Sequence, residues 1–532
     1  MSAAAPSVAL LDAPRPAINP WIVAPIVAIA AFMEVLDTTI VNVALPHIAG
    51  SMSTTIDQST WVLTSYLLAN AIVLPLNGFM VSVFGRKRYF MGCMTVFTVS
   101  SLLCGLAPSY PVLLLMRVIQ GLGGGGLQPG AQSIMRDSFP LKRIGTAMAV
   151  YGIVVVVGPV LGPLLGGFIT DNASWRWCFF INVPIGIVTL ILLQVVLHDP
   201  PGMKRINLRK CGIDFVGLGL LAIGLASLQI MLDRGEDADW FSSNLICGLA
   251  IATVLGLALF VVWEWFHKHP IVNLRLLENR NFGFATLGML LFGMVLYSTT
   301  TLLPLLSQTL IGYDAQTAGW VLAPGGMVVF FMMPLVGFLV PRVATRWLVT
   351  FGVLVNVFAL VLMGRLSLET DFHHLAWCRT VQGLGLAFLF VPFNTAAFAY
   401  LSRDQLSSAA GIINLTRNIG GSIGIALAEV FIRRVSQQHQ VFLAANATTL
   451  NPAYNQQMSA LRGAMVHAGI SPANSVNNAH AVIYNTIISH AGMLAYVDAF
   501  HLLAWMFLLV IPVALLLKTP NFKGKPQPVA IE

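Results

Sequence analysis

Long apolar runs broken by short polar stretches dominate the chain. A helix needs about 20 apolar residues to cross a bilayer. Runs of about that length lie at roughly 21–44, 60–82, 89–107, 111–134, 145–168, 177–197, 213–232, 244–266, 284–308, 317–340, 347–366, 374–400, 407–431 and 495–517. The pattern predicts an all-α integral membrane protein with 14 transmembrane helices. The longest connection, 432–494, is rich in Asn, Gln, Ser, His and Ala and reads as a loop.

A repeat divides these spans. Residues 117–123 read RVIQGLG and residues 379–385 read RTVQGLG, an offset of 262. Both copies sit early in a span, the fourth and the twelfth. The organisation expected is an N-tail (1–20), an N-terminal lobe of six spans (21–197), a linker with two inserted spans (198–283), a C-terminal lobe (284–517) and a C-tail (518–532). Two related lobes with a site between them is a transporter architecture.

Composition removes the alternatives. Of 532 residues, 57% are hydrophobic and 9% charged, whereas a soluble domain carries roughly 25% charged residues. Mean hydropathy is +0.80. A cytosolic enzyme, a disulfide scaffold and a disordered chain are excluded. The formal charge of +8 reflects loop bias, and nucleic acid is not an expected partner. Of 29 Lys and Arg, 20 fall on the side of the termini, six on the other side and three (Arg117, Arg379, Arg417) within spans. The positive-inside rule puts both termini in the cytoplasm and loop 432–494 on the opposite side of the membrane. The first apolar run is expected to be retained as a span, with no signal-peptide signature before it.

The six cysteines are scattered, and His439, His467, His480 and His490 lack ligand spacing, so neither a metal nor disulfides are expected. The G121-L-G-G-G-G126 run formally matches a dinucleotide loop. It lacks the strand and βαβ unit that such a loop requires, and close helix packing is the better reading. No phosphate-binding GxxxxGK[ST] run occurs. No cofactor is expected; a proton gradient would supply the energy.

The first span holds the candidate chemistry, M33-E-V-L-D-T-T-I-V-N-V-A-L-P46. Glu34 and Asp37 are three apart and share a helix face. An ionisable side chain inside a membrane is a functional candidate by default. An apolar environment favours the neutral acid, so such a group can exchange a proton against a cationic substrate. The alternative is a structural anchor bonded to a neighbouring helix. Arg117 joins Glu34 and Asp37 as a proton-coupling candidate, on the strength of its repeat partner Arg379. Gly78, Gly85 and Arg86, at the end of span two, suit either a gate or an ordinary cytoplasmic turn. Gly158, Gly162 and Gly166 form a stripe in span five, kinked by Pro159 and Pro163 and followed by Gly167. That stripe suits a sliding contact between lobes. The cavity is expected between spans one, four, nine and twelve, with Tyr66, Tyr297, Phe388 and Phe393 as substrate-binding walls.

These motifs resemble a known family. The segment L36-D-T-T-I-V-N-V-A-L-P46, R117-V-I-Q-G121, G158-P-V-L-G-P-L-L-G-G167, W175-R-W-C-F-F-I-N-V-P-I-G186 and L232-D-R-G235 are similar to motifs of fourteen-span drug:proton antiporters of the EmrB/QacA type, within the major facilitator superfamily. The resemblance runs from about 21 to 517. It implies multidrug efflux of small hydrophobic compounds, often cationic or uncoupler-like, across the inner membrane of a bacterium, with loop 432–494 in the periplasm. It also implies the inner-membrane role in a tripartite pump, with a periplasmic membrane-fusion adaptor of the EmrA type and an outer-membrane channel. Departures are Ser82, where an Asp is usual, and the additional Glu34. A second membrane acid is not obvious; Glu264 and Glu429 lie near span ends. A transporter of one specific metabolite is the alternative reading, and a membrane-embedded lipid enzyme a weaker one.

Overall fold

The computed structural model describes residues 19–140, 143–199, 214–267 and 270–518. Almost all of the predicted N-tail and C-tail, and 200–213 of the linker with Cys211, lie outside the described residues.

Backbone amides in lipid must be satisfied within their own segment, which leaves helices as the economical solution. Among the described residues there is no strand. Helices α1 (Pro20–Ser51), α2 (Trp61–Phe84), α3 (Arg86–Gly105), α4 (Tyr110–Gly124), α5 (Leu127–Ser138), α6 (Ile144–Asn172) and α7 (Asn182–Val196) occupy the first half. The inserted pair is α8 (Phe215–Arg234) and α9 (Asn244–Phe266). The second half contains α10 (Arg280–Leu306), α11 (Ala315–Leu339), α12 (Thr345–Met363), α13 (Phe372–Phe398), α14 (Leu406–Ala444), α15 (Pro452–His467), α16 (Pro472–Leu508) and α17 (Val510–Leu516).

Among the described residues, twelve helices are long and apolar enough to cross a membrane. The predicted spans 89–107 and 111–134 are helical but differ from the rest. The helix of the first, α3, opens on Arg86, Lys87 and Arg88 and carries several Ser and Thr. The second is two helices, α4 and α5, parted at Gly125 and Gly126. These glycines let α2 and α3 come close: a Cβ at Gly125 would lie 2.8 Å from the carbonyl of Asn70, and one at Gly126 2.4 Å from Cys93 Sγ.

The stretch 432–494 is not a loop. It forms the end of α14, all of α15 and the start of α16. Its Ala and Gln favour helix, and its Asn and Ser sit where caps are needed. Asn451 accepts from the Ala453 amide at 3.0 Å at the start of α15, with Pro452 in the first turn. Ser471 plays the same part before α16.

The halves meet along two seams, α2 against α14 and α6 against α11. At one end the seams close tightly. A Cβ on Gly78 would lie 1.9 Å from Ser408 Oγ, and one on Gly145 2.6 Å from the carbonyl of Gly337. Asn77 Nδ2 donates to the Ser407 carbonyl at 2.9 Å. Towards the other end α6 and α11 stay in contact, while α2 and α14 diverge beside a central cavity.

Candidate functional site

Helix α1 brings two acids to two different surroundings one turn apart. Asp37 is fully buried, as are Arg117, Gln120 and Asn182. Asp37 Oδ2 accepts from Arg117 Nη1 at 2.6 Å. Asp37 Oδ1 accepts from Gln120 Nε2 and from Asn182 Nδ2, both at 2.9 Å. The guanidinium also donates through Nε to the Val62 carbonyl at 2.9 Å and lies 4.2 Å above the Tyr66 ring. Every contact on this acid is thus used in tying α1 to α4 and α7. Both carboxylate oxygens are satisfied, while Arg117 Nη2 has no hydrogen-bond partner; a buried pair stripped of one member leaves an uncompensated charge.

Glu34, one turn earlier, lies on the wall of a cavity of about 730 Å³. Its Oε1 accepts from Asn70 Nδ2 at 2.9 Å, and its Oε2 from Gln128 Nε2. The Gln128 carbonyl in turn accepts from Arg417 Nη2 of α14 at 2.5 Å. One amide therefore connects an acid of the first half to a cation of the second. Beyond it, Tyr151 donates to Asn414 Oδ1 at 2.9 Å and Asn414 Nδ2 to Gln132 Oε1 at 2.6 Å. Gln132 closes the chain by donating to Asn394 Oδ1. Gln132 and Asn394 are themselves 262 residues apart, the repeat offset, so equivalent positions of the halves meet at their common axis.

The repeat also explains Arg379. Its Nη1 donates to Gln382 Oε1 at 2.5 Å and to Thr299 Oγ1 at 3.2 Å, and Gln382 Nε2 donates to Thr299 Oγ1 at 3.0 Å. Thr299 stands 262 residues after Asp37. The second half thus repeats the Arg–Gln pair of the first but offers it a hydroxyl where the first has a carboxylate.

The cavity runs from the level of Glu34 towards Pro46 and His47 at the far end of α1. Its walls come from α1, α2, α5, α6, α8, α10, α11 and α14. The expected wall of spans one, four, nine and twelve needs correction: span twelve, now α13, contributes no wall residue. Of the four aromatics expected there, Tyr297 lines the cavity. Tyr66 is fully buried beneath Arg117. Phe388 packs on Phe351 of α12, with ring centres 4.8 Å apart. Phe393 is fully buried against Gly288 of α10. Ring size and hydropathy do not reveal which side of a helix faces the cavity; the neighbouring helices decide it.

The gate residues separate likewise. Gly158, Gly162 and Gly166 face Val35, Thr39 and Ile40 of α1, inside the first half and not across the seam. The sliding contact expected of that stripe is therefore misplaced. Pro159, Pro163 and Gly167 line the cavity. Gly78 lies on the α2–α14 seam. Gly85 has φ +84° and turns the chain from α2 into α3. Arg86 pairs with Asp137 at 2.8 Å, and Ser82 Oγ donates to the Phe79 carbonyl at 2.6 Å. Sequence reasoning missed Asn70, Gln128 and Asn414, which no motif marks. Arg417 had a signal, a charge within a span, but no repeat partner to raise it.

Comparison with known proteins agrees with this arrangement. The Major Facilitator Superfamily profile matches residues 27–425. The chain is 36% identical over 439 residues to the multidrug export protein EmrB of Escherichia coli, covering 82% of this chain and 85% of that protein. It is 35% identical over 497 residues to the fatty acid resistance protein FarB of Neisseria gonorrhoeae, covering 93% and 96%. Among solved structures, the human organic anion transporter MFSD10 shares the fold with a TM-score of 0.57 at 14% identity, over 93% of this chain and all of that one.

Proposed function

The chain belongs to the Major Facilitator Superfamily, and from that premise we propose that it is a proton-driven multidrug exporter of a bacterial inner membrane. Its two six-span lobes and inserted pair would give fourteen crossings, with both termini cytoplasmic. Its substrates are small hydrophobic compounds, often cationic. An adaptor of the EmrA type and an outer-membrane channel would complete a tripartite pump. Supporting the export reading is the 36% identical multidrug export protein.

One observation carries the coupling: Glu34 is an acid on the cavity wall held by two neutral amides, Asn70 and Gln128. A carboxylate in such a place can be neutralised by a proton or by a substrate cation, and the two exclude each other. Asp37, the other acid of this span, is already neutralised by Arg117. In this cycle Glu34 exchanges proton against drug, while Asp37 and Arg117 hold α1 in register and respond to its movement. Each proton entering down about 100 mV contributes roughly 2.3 kcal/mol.

A buried arginine bonded only to neutral side chains favours a second reading, transport of anionic amphiphiles. Arg379 is buried among neutral partners, and a 35% identical relative is named for fatty acid resistance. Energised inverted vesicles separate the readings. Uptake of a cationic dye that a protonophore abolishes, unaffected by excess oleate, supports cation export. Uptake of labelled oleate without dye uptake supports the second reading.

A further inference from the structure

The two seams between the halves differ in a way that gives the inserted helices a role. The α6–α11 seam is in contact along its length. Gly145 meets Gly337 at one end, a Cβ on Gly326 would lie 3.3 Å from Val160, and one on Gly319 3.1 Å from Leu164 near the other end. The α2–α14 seam is a V. Its apex is the Gly78–Ser408 contact, with Gly411 pressed on the carbonyl of Leu74. Further along, Leu63 and Leu67 of α2 and Ser422 and Ile425 of α14 line the cavity.

Helix α8 fills the open part of that V. Thr64 Oγ1 of α2 donates to Asp233 Oδ2 at 3.0 Å. Ser422 Oγ of α14 donates to Gln229 Oε1 at 3.2 Å, and Gln229 Nε2 donates to Asp233 Oδ1 at 3.0 Å. Four polar side chains thus run in series from one half, through α8, to the other. Farther out, Glu236 pairs with Arg433 at 2.6 Å and Arg234 lies 5.2 Å over the Trp61 ring. Gln229 lines the cavity, while Ile223 on the same helix is 56% exposed on the apolar outside. Part of the outer face of α8 packs on α9, where a Cβ on Gly256 would lie 3.0 Å from Gly224 Cα; the rest, at Ile223, is open to lipid.

We propose that α8 is a side door: hydrophobic substrates pass between the cavity and the surrounding leaflet through the α2–α14 opening, and Thr64–Asp233–Gln229–Ser422 is its latch. The inference rests on the exporter reading for what passes, but not for the opening itself. Rocking the halves narrows the V at one end and widens it at the other. The latch bonds to both halves cannot all survive that change, so α8 must release at least one side in each cycle.

The test places a small fluorophore on Thr301→Cys, a cavity-lining position, in protein reconstituted in vesicles. Quenching is read with nitroxide on the lipid acyl chain and, separately, with aqueous iodide. Asp233→Leu and Gln229→Leu are expected to raise lipid-borne quenching at least about twofold with iodide quenching unchanged. Asp233→Asn, which keeps an acceptor, should stay close to the parent. Unchanged lipid quenching in both Leu variants would overturn the door, as would a parallel rise with iodide, which means general loosening. The readout involves no drug. If the parent fails to transport any dye, the exporter reading fails while the door is still judged on quenching.

Discussion

Asp37 and Thr299 occupy the same place in the two halves, each receiving an Arg Nη1 and a Gln Nε2 from residues 262 apart in sequence. One is an acid and the other a hydroxyl. The fold is pseudo-symmetric but its buried charge is not. Whatever proton chemistry this arginine pair supports belongs to the first half.

Neutralising that acid should cost stability. Breaking a buried ion pair by removing one partner costs about 3–5 kcal/mol. Asp37→Ala is expected to lower the unfolding temperature in detergent by several degrees, and Asp37→Asn, which keeps two hydrogen bonds, by less. Thr299→Asp supplies Arg379 with the partner it lacks. It should leave the unfolding temperature unchanged or raise it, and should leave dye efflux through Glu34 in place. Calorimetry and dye efflux read the two parts separately.

The glycine stripe of α6 should behave as packing. A Cβ on Gly162 would lie 1.9 Å from Thr39 Oγ1 and 3.0 Å from the Ile40 amide, whereas Gly167 has nothing within 4 Å. Gly162→Ala is expected to destabilise by about 1–3 kcal/mol, the usual range for overpacking. Gly167→Ala should be neutral in unfolding temperature. Equal effects at the two positions would contradict the α1–α6 contact.

Closure at the Gly78 seam should be specific to the state with the cavity open at its other end. Gly78→Ala drives a Cβ into Ser408, so the sealed end should open. Spin labels on Phe84→Cys and Ser402→Cys, in a Cys247→Ser background, are expected to move apart by several ångströms. Adding Ser408→Gly should recover part of the parental distance.

Much of this was legible beforehand where one residue's chemistry suffices. Glu34, Asp37 and Arg117 stand out because charge is rare in a span, and the Arg379 repeat is visible as a string. Orientation was not legible. Tyr66 and Phe393 look like cavity walls until Arg117 and Gly288 are known to cover them. Gly162 looks like a hinge until Thr39 is found against it. The 432–494 stretch misleads because its polar composition suggests irregular backbone, although Ala, Gln and capped prolines serve a solvated helix equally well. The latch through Asp233 lay beyond reach, since it joins three helices distant in sequence through neutral and acidic groups that no motif pairs.

The most direct test of the central claim is proton release on adding a cationic dye to the purified protein in weakly buffered detergent, with dye binding followed in parallel by fluorescence polarisation. Release is expected from the parent protein and from Asp37→Asn, and should vanish in Glu34→Gln while dye still binds. Undiminished release from a Glu34→Gln protein that binds dye would contradict the account and return the exchange to Asp37.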